Sequence, residues 1–163
     1  ERNLEKPAEA SVDELLRLTE RLEEEYRSSP DDQTAEKLIA AYSDVMFYYE
    51  KQRDLIYYPK YVSAYLKLKT EQFRADPDVL ESLDIVWCYA ELVDFLIEHK
   101  QHRDAIDALE GYTAFLDYLS EIGSDCAEDS FEAYEKLSSL YKAVGNGKLA
   151  AEAKEKAQRY AQG

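Results

Sequence analysis

The sequence predicts an all-α protein, and three observations carry that prediction. Only five glycines and four prolines occur in 163 residues, while Ala, Leu, Glu and Lys are abundant, the balance of a chain that builds helices rather than sheet on tight turns. Apolar residues recur at helical spacing through most of the chain. Pro30, Pro77, Gly123 and Gly145 fall where that spacing breaks.

Residues 1–10 are polar and include Pro7, so they are expected to be flexible. Ser11 followed by Glu14 then reads as a capping box that opens a first helix over 11–28. Val12, Leu15, Leu16, Leu22 and Tyr26 make its apolar stripe, and Ser28 to Asp32 stop it. A second helix carries Leu38, Ile39, Tyr42, Val45, Met46 and Tyr49; a third carries Tyr61, Tyr65, Leu68 and Phe73 and ends near Arg74. Pro59 would break a backbone bond if that third helix began at Arg53, but sits comfortably in the first turn if it begins at Tyr58, and the later start is preferred. Asp78 opens a fourth helix that runs to about Glu98. After a short turn, residues 103–119 form its partner. The last pair covers 127–143 and 148–160, joined at Gly145, Asn146 and Gly147. Short connections make neighbours antiparallel, so the prediction is three αα-hairpins, at 31–75, 77–122 and 126–160, in one domain over 11–163.

Composition narrows the function. Twenty basic against thirty-five acidic side chains leave a net charge of -15, which repels nucleic-acid phosphates and anionic lipid and favours a basic or neutral partner. No apolar run approaches the roughly 20 residues of a membrane span. Cys88 and Cys126 are too few for a disulfide framework and lack zinc-site spacing, so free thiols and a reducing, cytoplasmic setting are expected. Because the chain starts with Glu1 rather than Met, a fragment or a processed chain is expected. No nucleophile–base pair, glycine-rich phosphate loop or specific acid/base pair is legible, and no enzymatic activity or cofactor is expected. Glu98, His99 and His102 are the nearest approach to a metal cluster, but a turn splits the histidines and Lys100 stands between them, so a surface turn is the reading and no metal is expected.

The last hairpin has Tyr134, Leu137, Ser138 and Tyr141 on its first helix, Gly145 at the turn and Ala150 and Ala157 on the second. This spacing resembles a tetratricopeptide repeat. The middle hairpin follows the same frame with Tyr89, Leu92, Val93, Leu96, Lys100 and Ala105. Placing Asp54 and Leu55 on Asp104 and Ala105 extends it to the first hairpin, without the turn glycine and the small contact residue. The frame advances by 50 and then 45 residues, against about 34 in the standard repeat, so the resemblance is to a divergent, long-helix member. It implies a right-handed α-solenoid of about seven helices whose first helices line a concave groove.

The groove residues that follow by resemblance include Phe47 and Tyr48 in the first hairpin and Trp87, Glu91, Asp94 and Glu98 in the second. Glu91, Asp94 and Glu98 share one helical face with Trp87, an acidic wall beside an aromatic that would suit a protein segment carrying basic and apolar residues. The same charges could be only the solvated side of an amphipathic helix, and Trp87 could equally be a core residue. Two functions are therefore carried forward. One is a non-catalytic adaptor that binds such a segment in its groove; the other is a structural or assembly domain, part of a longer solenoid or of a larger protein, with self-association possible.

Overall fold

A computed structural model describes residues 9–162, all helix and turn, with no strand among them. Seven helices follow in order: α1 Glu9–Ser28, α2 Asp32–Lys51, α3 Tyr57–Ala75, α4 Val79–Glu98, α5 His102–Glu121, α6 Ala127–Ala143 and α7 Gly147–Gln162. The all-α class and the number of helices are those the periodicity predicts. The segment expected to be flexible lies largely outside the described residues. The helix after it begins at Glu9, so Ser11 sits inside α1 rather than capping it; Glu9 and Ala10 are both good helix formers and let the helix start early.

Side chains of the loops start several helices. Asp31 Oδ1 accepts the Thr34 N–H at 2.7 Å, Asp78 Oδ1 accepts that of Leu80 at 2.8 Å, and Asn146 Oδ1 accepts that of Leu149 at 3.1 Å, each supplying an acceptor to a helix end that has none of its own. Asp54 does the same for α3, where its Oδ1 takes both the Ile56 and Tyr57 N–H groups, at 2.9 and 2.7 Å. Pro59 consequently lies in the first turn of α3, where the missing N–H costs nothing. Gly145 ends the turn after α6 at φ +82°, a left-handed conformation that glycine adopts without a Cβ clash.

The chain divides into two compact units, α1–α3 and α4–α7. In the first, α2 packs against both α1 and α3. Leu22, Leu38, Ala41, Tyr42 and Leu68 bury one cluster there, edged by Tyr26, Tyr61 and Tyr65. The crowded tyrosines mainly join α2 to α3. Tyr49 stacks on Tyr57 and on Tyr61, with ring centroids 5.1 and 6.1 Å apart, and Tyr61 tilts against Tyr42 at 6.2 Å; Tyr58 is buried outright.

In the second unit each helix packs on the next, α4 on α5, α5 on α6 and α6 on α7. Small residues stand at these contacts. Ala105, Ala150 and Ala157 are fully buried, Ser138 Oγ donates to the Ala150 carbonyl at 2.7 Å, and a Cβ on Gly111 would meet the Tyr89 hydroxyl at 3.4 Å. Phenols then tie the layers: Tyr134 and Tyr160 both donate to the Asp117 carboxylate, and Tyr141 donates to Glu110 at 2.6 Å. Each is a charge-assisted bond, stronger than a neutral one.

Candidate functional site

The second unit exposes an apolar row along α4. Val79, Leu80, Leu83 and Trp87 are between 54 % and 74 % exposed, whereas Ser82, Ile85, Leu92, Val93 and Leu96 of the same helix are buried. The two sets have helical spacing but lie on different sides. Helix α4 therefore satisfies its own core with one stripe and presents a second to solvent. Phe131, near the start of α6, adds a partly exposed ring.

Beside this row lies a shallow groove of about 450 Å³, floored by Leu83, Val86, Trp87 and Ala90, with Tyr112 of α5 at its base. Glu91, Asp94 and Asp129 supply its carboxylates. Helix α4 contains no Lys or Arg at all. From α6, Lys136 Nζ pairs with Asp94 Oδ1 at 3.0 Å. Burial first, and then the nearby Glu132, holds the Asp129 carboxyl above the usual carboxylate range, since both disfavour its charged form.

Of the residues singled out from the sequence, Trp87, Glu91 and Asp94 share this groove, and Glu98, exposed farther along α4, is not part of its lining. Phe47 and Tyr48 belong to α2 of the first unit. Phe47 is exposed with Lys51 Nζ 4.3 Å above its ring. Tyr48 is half-buried and meets Tyr49 edge-on at 5.1 Å. Sequence reasoning passed over Val79, Leu80 and Leu83. Their signal was an apolar stripe on α4 additional to the one its core requires.

The other candidate chemistry is accounted for locally. His99 Nδ1 is 2.8 Å from the Phe95 carbonyl, and Lys100 takes φ +58° to make the turn. No cluster of three or more metal-ligating side chains occurs among the described residues. Cys126 is buried, its thiol donating to the Leu116 carbonyl at 3.3 Å and pushed up in pKa by burial, which suppresses the reactive thiolate. No described helix is long and apolar enough to cross a membrane.

No protein-family model matches the chain, and no curated protein matches it. Among solved structures it is similar to one titled "DHF79 filament", with 17% identity, a TM-score of 0.45, and coverage of 93% of this chain and 85% of that one. The fold itself defines an all-α protein in which, within each unit, every helix packs on the next.

Proposed function

We propose that this chain is a non-catalytic helical scaffold whose work is assembly with other protein surfaces. The observation that carries the reading is the exposed row of Val79, Leu80, Leu83 and Trp87. Scattered surface leucines need no explanation, but a contiguous apolar strip rimmed by charge marks an association surface. The similarity of the last two hairpins to tetratricopeptide repeats points the same way. The buried small residues Ala105 and Ala150 suit that family reading, and such repeats use their helical faces to hold other proteins.

The preferred partner surface carries basic and apolar side chains together. Leu83, Val86 and Trp87 would take the apolar groups, while Glu91, Asp94 and Asp129 would select positive charge and speed the encounter. Trp87 is the only tryptophan, so it reports directly. Titration with a synthetic amphipathic peptide of Leu and Lys should shift its emission to shorter wavelength, and a Leu/Glu counterpart should not. Glu91→Lys with Asp94→Lys should weaken binding about tenfold or more, the equivalent of roughly 1.4 kcal/mol, while Asp107→Lys on α5 should leave it nearly unchanged. Equal losses for the two would reduce the effect to net charge and overturn the reading.

A further inference from the structure

The surface that the α4 face calls for exists on this chain, at the corner between α2 and α3. Phe47, Leu55, Ile56 and Tyr57 are all exposed there, Ile56 at 72 %. Cations stand over the rings: Lys51 Nζ lies 4.3 Å above Phe47, and Lys60 Nζ 5.9 Å from the centre of Tyr57. The corner is also held in shape. Arg53 makes the turn at φ +52°, and Asp54 fixes the next residues through the Ile56 and Tyr57 N–H groups. An apolar, cation-bearing knob presented rigidly loses little freedom on docking, which is what makes a surface economical to bind.

We propose that the α2–α3 corner of one copy docks on the α4 face of a second copy, with Ile56 and Phe47 against Leu83 and Trp87 and with Lys51 and Lys60 toward Glu91 and Asp129. This rests on the reading of α4 as an association surface and names its occupant. The charges favour this pairing over face to face, because α4 has no cation of its own to set against a second α4, and like charges across an interface are costly. The two patches differ, so the contact is heterologous. The docked pair still offers one free patch of each kind, the α4 face of one copy and the corner of the other, and assembly continues unless a ring closes.

Complementation between two crippled variants tests this, by sedimentation velocity at about 0.15 M salt, where the Debye length of about 8 Å screens the overall negative charge but spares close contacts. The face variant carries Leu83→Glu and Trp87→Glu; the corner variant carries Lys51→Glu and Ile56→Glu. All but Lys51 are exposed apolar positions and Lys51 is itself exposed, and an unchanged helical circular-dichroism spectrum verifies folding, with serine replacing glutamate where it fails. The wild type should populate species beyond the monomer as concentration rises, and each variant alone should be monomeric. An equimolar mixture should recover a species of twice the monomer mass and nothing larger, because only one intact junction remains. A monomeric wild type, a mixture that stays monomeric, or assembly that survives in either variant overturns the proposal. A wild type that is monomeric yet binds the Leu/Lys peptide at α4 removes the second copy as occupant and leaves the proposed function standing; loss of both removes both.

Discussion

The two units build helix pairs from different materials. Between α2 and α3 the joint is aromatic, with Tyr49 stacked on Tyr57 and Tyr61 and with Tyr61 against Tyr42. Between α6 and α7 it is made of small residues, where Ser138 reaches the Ala150 carbonyl and Ala150, Ala153 and Ala157 are buried. Both units also carry phenol–carboxylate ties. Tyr42 donates across helices to Glu23 at 2.8 Å in the first unit, and in the second Tyr134 and Tyr160 donate to Asp117 and Tyr141 to Glu110. A helical hairpin can thus be closed by rings that fill the space or by small side chains that remove it. The second route leaves less tolerance for added volume, because an interior at crystal-like density has nowhere to put a new methylene.

The sharpest test of the contrast is volume. Ala150→Leu and Ala105→Leu should each destabilise by about 1–3 kcal/mol through overpacking, read as a lower urea midpoint with an unchanged slope. Leu55 holds the position that the repeat frame equates with Ala105, yet it is 44 % exposed where Ala105 is 0 %. Leu55→Ala should stay within about 0.5 kcal/mol. Neutral results at both alanines would show that the small-residue joint is not tight.

Next in size is an exchange of tie for stack. Asp117→Ala strips the acceptor from two phenols and should cost about 1.5–3 kcal/mol, the range for a hydrogen bond to a charged group. Tyr49→Leu keeps apolar bulk but loses ring geometry and should cost about 0.5–1.5 kcal/mol. Hydrogen exchange should place the first loss in α5–α7 and the second in α2–α3. Protection lost in the opposite unit would break the comparison.

The smallest effect at neutral pH appears only in alkali. Burial first, and then the bond to a carboxylate, pushes the phenols of Tyr42, Tyr134 and Tyr141 above the usual tyrosine value; for Tyr160 the same causes raise it to about 12. Burial likewise raises Tyr112. The folded state therefore keeps protons that the unfolded chain releases near pH 10. Their contribution to stability is fully present below pH 10 and is lost as pH rises through 12. Absorbance near 295 nm during an alkaline titration should show a late phase, delayed for Tyr160 and absent after denaturation. Asp117→Asn should bring the Tyr160 step to lower pH by removing the negative charge beside it.

The helices were legible in the sequence because their causes are local. Helical spacing of Leu92, Val93 and Leu96, a proline or glycine at four of the six breaks, and an acceptor side chain such as Asp78 act within a few residues of where they stand. The late start of α3 followed from Pro59 for the same reason. The first hairpin was harder to align, since Asp54 and Pro59 place Leu55 ahead of the helix while Ala105 lies in the first turn of α5, and a frame carried across from another hairpin cannot register that offset. At the candidate site, Trp87, Glu91 and Asp94 could be assigned to one face from spacing alone, but Asp129 and Tyr112 reach the same groove from other helices.

What the sequence by itself determined is the periodic framework: seven helices, apolar residues at helical spacing along them, and an excess of acid with no cation on α4. Only the tertiary structure decided which of two apolar stripes on α4 becomes core. Ile85 and Leu83 are equally hydrophobic to a periodicity argument, yet Ile85 is buried and Leu83 is exposed, because burial depends on whether another helix covers the site. It also decided that Tyr134 and Tyr160 share the carboxylate of Asp117, groups brought together from three helices. Backbone preference is written in neighbouring residues, whereas coverage and polar pairing arise when distant surfaces meet, and that meeting turned one stripe of α4 into core and left the other exposed.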